Sequence, residues 1–436
     1  MWSIIRKTPL NIAMLSYHTC PLAILGGKDT GGMNVYVREL TRFLGQINVH
    51  VDVFTRSQDD HVPHVLHDLG YSNRVVHINA GPEIPLPKKE LVKYIPDFYG
   101  GIRDFAKQKG IHYDLIHSHY WMSGIAAGFL QEEWHVPVIQ MFHTLGYMKN
   151  TIARHVDEIE GPYRLKGEQK VMDLVDKIIA ATPAEVKQLT THYHVDQGKI
   201  TVIPPGVDCS HFYPIPKDEA KAVIGIPPDS RMILFVGRIE PLKGVETLLR
   251  AISIMREECN LEVCPYHVAI IGGETNEQQS ETDSELFRLK SLCHDLGLDE
   301  TVIFLGKRDQ NTLPYYYSAA EMLVMPSYYE SFGMVALESM ACGTPVVASN
   351  IGGLAYLVQD GVTGFTVSGR NDKALARRLS QLLFDQELQL KIGKQAAEYA
   401  LSYSWEIIAG KIKSMYEELL QKESGLNSSI PFNPRL

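Results

Sequence analysis

Two carboxylates, Glu330 and Glu338, stand eight positions apart in the run Tyr329-Glu330-Ser331-Phe332-Gly333-Met334-Val335-Ala336-Leu337-Glu338. A carboxylate only accepts hydrogen bonds. An acid in a loop and a second acid two turns into the following helix can therefore hold hydroxyl groups at two places on one extended ligand, and riboses and hexoses carry such hydroxyls. An isolated pair at this spacing is ordinarily a solvated helix face, so its company decides. The run Val236-Gly237-Arg238-Ile239-Glu240-Pro241-Leu242-Lys243-Gly244 offers two fixed cations after an apolar segment, which is what a departing diphosphate needs. A third segment, Gly26-Gly27-Lys28-Asp29-Thr30-Gly31-Gly32-Met33-Asn34, precedes a helical period. Its glycines let the backbone approach a ligand, and the helix N-terminus turns unpaired N–H groups to a phosphate. It lacks the G-x-G-x-x-G spacing of a dinucleotide site.

Histidines end two apolar runs, in His117-Ser118-His119-Tyr120-Trp121 and in Phe142-His143-Thr144-Leu145. A strand-end histidine beside a cleft can hydrogen-bond a sugar hydroxyl. The His-x-His pair also suggests a metal, but no acid or thiolate at ligand spacing accompanies it, and no metal is assigned. Lys88 and Arg164, with the hydroxyls of Tyr120 and Thr144, would form a phosphate pocket if the fold brought them together.

The elements that must position these residues are short apolar runs alternating with segments of helical period, the signature of βα units and a parallel sheet. The pattern occurs twice. Strands are expected at Asn11–Tyr17, His50–Thr55, Arg74–Asn79, Leu115–His117, Val136–His143 and Lys177–Thr182, with a helix over Gly32–Leu44. The second series is Met232–Val236, Val268–Ile271, Val302–Leu305, Met322–Met325, Pro345–Ala348 and Gly364–Val367, with helices at Val245–Arg256 and Asp372–Phe384. Pro204-Pro205-Gly206 interrupts both periodicities, which puts a hinge at 205–215. The expected division is an acceptor-binding Rossmann-like domain over 1–210, a donor-binding one over 211–404, and a C-terminal helix and tail over 405–436 that packs back towards the first domain. Ligands then bind in the cleft between the lobes, at the strand ends.

A chain of 436 residues exceeds one core and fits two domains of about 200 residues. Its net charge of −9 argues against a nucleic-acid binder. Six cysteines without C-x-x-C spacing suit a reduced, cytoplasmic setting. The apolar segment Ile12–Leu15 behind Arg6 and Lys7 is too short for a signal peptide, and no run approaches the roughly 18 apolar residues of a membrane span. The last dozen residues read as loose. The sequence leaves an oligomer open.

Together, Gly31-Gly32-Met33-Asn34-Val35-Tyr36, the Gly237-Arg238 to Lys243-Gly244 segment, and Glu330-Ser331-Phe332-Gly333 to Glu338 resemble the family-4 retaining glycosyltransferases of GT-B fold. The resemblance covers nearly the whole chain and is strongest to the D-inositol-3-phosphate glycosyltransferases, with the single-domain sucrose-phosphate synthases also similar. It implies that Asn34, Lys88, Tyr120, Thr144 and Arg164 bind the acceptor phosphate. It implies that Arg238, Lys243 and the amides of Gly31 and Gly32 hold the donor diphosphate, Glu338 the ribose, and Glu330 with His143 the transferred hexose. Ser331, Phe332 and Gly333 line the donor loop, and Gly306-Lys307-Arg308 resembles the segment that receives the uracil, through Arg308. The resemblance implies Arg238, Lys243, Glu330 and His143 as the catalytic set. Two departures bear on the acceptor: Thr151–Tyr163 differs from the inositol-phosphate group, and Ser331 stands where sucrose-phosphate synthases commonly carry proline.

The expected reaction moves a hexose, glucose first, from a UDP-sugar to fructose 6-phosphate, giving sucrose 6-phosphate. The alternative is transfer from UDP-N-acetylglucosamine to inositol phosphate. A non-catalytic nucleotide-sugar sensor is the competing class. No cofactor and no metal is expected, because the cations supply the charge.

Overall fold

A computed structural model describes residues 9–24, 30–153, 159–258, 266–273 and 285–427. Outside them lie Gly26 to Asp29 of the glycine-rich segment, Arg6 and Lys7, Cys259 and Cys264, part of the stretch Thr151–Tyr163, and the chain end after residue 427.

The first half builds an eight-stranded sheet in the order β3-β4-β2-β1-β5-β6-β7-β8. Its strands are β1 (Leu10–Leu15), β2 (Val49–Arg56), β3 (Val65–Leu66), β4 (Arg74–Ile78), β5 (Leu115–His119), β6 (Val138–Met141), β7 (Lys177–Ala180) and β8 (Ile200–Val202). Only β3, paired antiparallel to β4, departs from the parallel arrangement. The second half builds a wholly parallel six-stranded sheet ordered β11-β10-β9-β12-β13-β14. Its strands are β9 (Arg231–Val236), β10 (Tyr266–Ile271), β11 (Val302–Gly306), β12 (Met322–Met325), β13 (Val346–Ser349) and β14 (Gly364–Val367). Helices cover both faces of such sheets, which is why central strands such as Met322-Leu323-Val324-Met325 are apolar throughout. The period of two survives as a division of cores: Ile12 and Met14 belong to one buried cluster, Ala13 and Leu15 to another.

In each sheet the chain order reverses beside the first strand. β1 lies between β2 and β5, and β9 lies between β10 and β12. Loops leaving the carboxyl ends of such a pair diverge and leave a crevice. The loops after β1 and β5 carry Gly31, Gly32 and Tyr120; those after β9 and β12 carry Arg238, Lys243 and Glu330 to Gly333.

The lobes are clipped where the chain passes between them. Val207 N–H donates to Tyr403 O at 2.9 Å and Trp405 N–H donates to Val207 O at 3.1 Å. The helix Trp405–Asn427 then returns to the first lobe. Lys413 Nζ donates to Ile47 O at 2.8 Å, and Tyr416 Oη lies 2.7 Å from His117 Nδ1. Trp405 stands edge-on to Tyr36, ring centres 5.4 Å apart. No described helix is long and apolar enough to cross a membrane.

Several boundaries differ from the sequence expectation. β6 ends at Met141, so His143 lies beyond the strand with a left-handed backbone, φ 62°. β7 ends at Ala180 because Thr182 caps the helix Pro183–His192, its Oγ1 accepting from Glu185 N–H at 3.3 Å. β5 runs on to His119, and β3 and β8 were not anticipated. Two or three residues are too few to display a period.

Candidate active site

On the second lobe, Lys243 ends a single 3₁₀ turn, Pro241–Lys243, that Gly244 closes with φ 68°. A Cβ on Gly244 would sit 2.0 Å from Pro326 O, so only glycine lets this loop lie on the exit from β12. Lys243 Nζ is thereby brought within 2.6 Å of Glu330 Oε2, with both side chains largely shielded. Arg238 Nη1 pairs with Glu240 Oε1 at 2.8 Å. Both cations are thus matched by carboxylates.

The Glu330 loop is held from behind by Gly352 and Gly353. Gly353 N–H donates to Glu330 O at 2.9 Å. A Cβ on Gly353 would lie 2.3 Å from Phe332 Cα and 2.5 Å from Ser331 O. These are backbone atoms and cannot step aside, so Gly353→Ala should push Glu330 to Gly333 into the cleft. The expected cost is about 1–3 kcal/mol of stability, with weaker UDP-sugar binding; calorimetric melting and a UDP titration measure the two effects. Phe332 itself is buried and stacks obliquely near Tyr403, ring centres 6.1 Å apart. Its side chain fills the shared core, and what it offers a ligand is backbone at the start of the helix Met334–Ala341.

Glu338 lies on that helix, buried, and accepts a hydrogen bond from Tyr317 Oη at 2.8 Å. Burial pushes its pKa up to about 7, against the pull of the Tyr317 hydroxyl and the Arg38 charge. Arg38 is a residue that sequence reasoning missed. It belongs to the first-lobe helix Gly32–Gln46 yet donates through Nη2 to Gln310 Oε1 of the second lobe at 2.5 Å. Arg308, exposed, bonds to the helix Leu313–Ala319 and to its own loop, Nε donating to Tyr316 Oη at 3.0 Å and Nη1 to Lys307 O at 3.1 Å.

The first lobe meets this set across the cleft. A Cβ on Gly31 would be 3.9 Å from Arg238 Nε, and one on Gly32 would be 3.5 Å from Met334 Sδ. Asn34, expected among the acceptor ligands, is buried in the first turn of the helix Gly32–Gln46. Its Nδ2 donates to Thr19 Oγ1 and Cys20 O, both at 2.7 Å, and its Oδ1 accepts from Gly31 N–H at 2.9 Å. Through these bonds Asn34 braces the glycine loop.

Lys88, Tyr120, Thr144 and Arg164 do come together. The Tyr120 ring has Lys88 Nζ 5.8 Å and Arg164 Cζ 5.1 Å from its centre, with the His18 ring at 4.4 Å. Tyr120 itself has φ 70°, a conformation a bulky residue adopts only under constraint. Arg164 is buried; Nη2 donates to both Thr144 O and Oγ1 at 3.1 Å, Nε donates to Glu168 Oε1 at 2.9 Å, and Nη1 pairs with Glu160. Burial works to raise the Glu160 carboxyl, but Arg164 and Lys149 outweigh it and hold its pKa below the usual range.

His143 is half-buried, and its Nε2 lies 3.0 Å from His119 Nδ1. Burial pushes its pKa down to about 3, so the ring is neutral at physiological pH. Glu185 was also missed. It is buried at the start of the helix Pro183–His192, accepts from Ala181 N–H at 2.8 Å, and has its pKa pushed up to about 7 by burial. The signal was present in Thr182-Pro183-Ala184-Glu185, which has the spacing of a capping box.

The two raised carboxyls carry a sign. Between about pH 4.5 and 7 the folded chain holds protons on Glu185 and Glu338 that the unfolded chain releases. Their contribution is therefore fully present below about pH 4.5 and is lost as pH rises through 7, on the order of 3 kcal/mol for each. Denaturant unfolding at pH 5 and 7.5 should show a smaller loss of stability over that interval for Glu185→Gln and Glu338→Gln than for the wild type.

Comparison with known proteins bears on the same residues. Residues 30–211 match the family described as Glycosyltransferase Family 4, and residues 216–399 match Glycosyl transferases group 1. D-inositol 3-phosphate glycosyltransferase 2 of Catenulispora acidiphila is 39% identical over 419 residues, covering 95% of this chain and 96% of that protein. The chain belongs to the family-4 glycosyltransferases. A D-inositol 3-phosphate glycosyltransferase of Streptomyces scabiei is 37% identical to this glycosyltransferase, over 94% of its length and 92% of the relative's. Among solved structures, the sucrose-phosphate synthase of Thermosynechococcus elongatus superposes with a TM-score of 0.85 at 32% identity, covering 95% of this glycosyltransferase and all of that chain. Anabaena HepE, solved with UDP and glucose, shares the fold at TM-score 0.73 and 19% identity, over 94% and 100% of the two chains. The two facing lobes of this family-4 glycosyltransferase are those of the GT-B fold.

Proposed function

We propose that this glycosyltransferase moves a hexose from a UDP-sugar to an inositol phosphate, with retention at the anomeric carbon. The observation that carries the reading is the gathering of Lys88, Tyr120, Thr144 and the buried Arg164 into one cationic pocket, suited to a phosphorylated acceptor. Fructose 6-phosphate, the first choice from sequence, yields to inositol phosphate. In support, curated relatives spanning 92% or more of their own lengths carry the inositol-phosphate name at 37–39% identity. Fructose 6-phosphate stays as the second reading, favoured by the 32% identity to a sucrose-phosphate synthase.

In the proposed reaction, the donor diphosphate takes Arg238 and Lys243 from Glu240 and Glu330. Glu330 is thereby released to accept hydrogen bonds from hexose hydroxyls, while Glu338 accepts from the ribose. The bond between the anomeric carbon and the β-phosphate oxygen breaks, and the acceptor oxygen bonds to that carbon on the same face. Its proton passes to the departing phosphate. Negative charge grows on that phosphate, and Arg238, Lys243 and the helix N-terminus at Gly31 and Gly32 stabilise it. No divalent metal is needed. His143, neutral, hydrogen-bonds the hexose and takes no proton.

A UDP-release assay crossing UDP-N-acetylglucosamine and UDP-glucose with inositol phosphate, fructose 6-phosphate and unphosphorylated inositol tests this. Fastest release is expected with inositol phosphate. Fastest release with fructose 6-phosphate would install the second reading, and equal rates with free inositol would remove the phosphate pocket. Binding of UDP-sugar without release under any acceptor would make the protein a sensor.

A further inference from the structure

Behind His143 lies a buried aromatic file that the mechanism does not use. His119 and His117 are fully buried on β5, with ring centres 4.4 Å apart. Tyr36 packs edge-on to both His119 and His143, at 5.6 and 5.2 Å, and Trp405 closes the far side of Tyr36. His117 Nδ1 meets Tyr416 Oη, and His119 Nδ1 meets His143 Nε2. The remaining nitrogen of each inner ring, Nε2 of His117 and of His119, has no hydrogen-bond partner among the described residues.

Burial holds His119 and His143 neutral, so one ring must donate across their 3.0 Å contact and the other accept. If His143 donated from Nε2, the proton of His119 would sit on its own Nε2, a buried N–H with no acceptor. If His119 donates from Nδ1, its Nε2 is a bare lone pair. Orphaned buried N–H groups are rarer than under-used acceptors, and an unsatisfied buried donor costs about 1–3 kcal/mol. The second arrangement wins. His143 must then carry its proton on Nδ1, the ring nitrogen left for a ligand. We infer that His119 is a positioning residue that fixes the tautomer of His143, so that His143 presents an N–H donor, not a lone pair, to an oxygen of the transferred sugar. The inference rests on the reading of His143 as a sugar ligand.

The tautomer can be read without turnover. Long-range ¹H–¹⁵N NMR of the full chain labelled at histidine should find His143 protonated at Nδ1, and this pattern should be lost in His119→Gln. Asparagine can place an amide N–H near the position of Nδ1, whereas glutamine, of similar size to histidine, places it near Nε2. His119→Asn should therefore keep the wild-type His143 tautomer. UDP release with the parent donor and with its monodeoxy analogues gives the second readout. The wild type and His119→Asn should prefer the parent by about tenfold at one hydroxyl position, which corresponds to one hydrogen bond, and His119→Gln should lose most of that preference. His143 protonated at Nε2 in the wild type overturns the inference. So does discrimination that survives in His119→Gln, or that disappears equally in both variants. Absence of UDP release with any acceptor would defeat the proposed function, and the NMR result would still decide the tautomer.

Discussion

Lys243→Ala is expected to lower kcat by about 10²-fold or more while changing the Kd for UDP-sugar much less. The reason lies in the partner that Lys243 has within the protein. Its ammonium is 2.6 Å from Glu330 Oε2, with its side chain 19% and that of Glu330 13% exposed, so the charge is already matched in a partly dry site. Donor binding exchanges one anionic partner for another, and much of the ground-state gain cancels. As the sugar leaves, charge builds on the β-phosphate beyond what the bound diphosphate carried. Lys243 then interacts more strongly than in the ground state, which is the condition for raising kcat and not merely lowering KM. In the alanine variant Glu330 also stands beside the departing phosphate without its counter-charge. Lys243→Arg keeps the charge with a different reach and should fall between. Steady-state UDP release together with calorimetric UDP titration separates the two quantities. A variant with near-wild-type turnover would remove the leaving-group role.

The residues proposed for the donor could be picked out because they lie close together in sequence and after strands that announce themselves. β12 is apolar throughout and β9 after Arg231, and Arg238 and Lys243 follow the one and Glu330 the other within a short loop. The acceptor side was harder. Lys88, Tyr120, Thr144 and Arg164 are each ordinary alone, and only the sheet order β4-β2-β1-β5-β6 gathers the segments that carry them. Local sequence cannot tell whether an amide such as Asn34 faces a ligand or its own loop; here Thr19 and Cys20, on the loop after β1, accept from its amide. Arg38 gave no sign of its role because its partner Gln310 belongs to the other lobe, whereas Glu185 was signalled by its capping-box spacing but not in its burial. Exposure and pKa depend on what packs over a residue, which local spacing does not give. The His119–His143 contact likewise needs β5 beside β6 and a backbone at His143 that no periodicity implies.

Arg164→Ala should have the largest effect on stability, about 3–5 kcal/mol, because it strands two acids. Glu168 is wholly buried. Besides Arg164 it accepts from Gly146 N–H at 2.9 Å and from Tyr193 Oη at 2.5 Å, and burial already raises its pKa despite the arginine. Glu160 is held low by the same guanidinium. Without it, Glu168 rises further and binds a proton that the unfolded chain gives up. The stability gap between variant and wild type should therefore narrow as pH falls below neutrality and widen above it. Glu168→Gln in the alanine background removes the stranded charge and should recover part of the loss, a coupling that denaturant unfolding of the four proteins measures. Function separates from folding in the same set. The double variant, though more stable, still lacks the guanidinium, so its KM should stay high for phosphorylated acceptors and change little for unphosphorylated ones. If restoring stability also restored the KM for inositol phosphate, Arg164 would be a structural strut of the first lobe, and the phosphate would have to be held by Lys88 and the hydroxyls of Tyr120 and Thr144 alone.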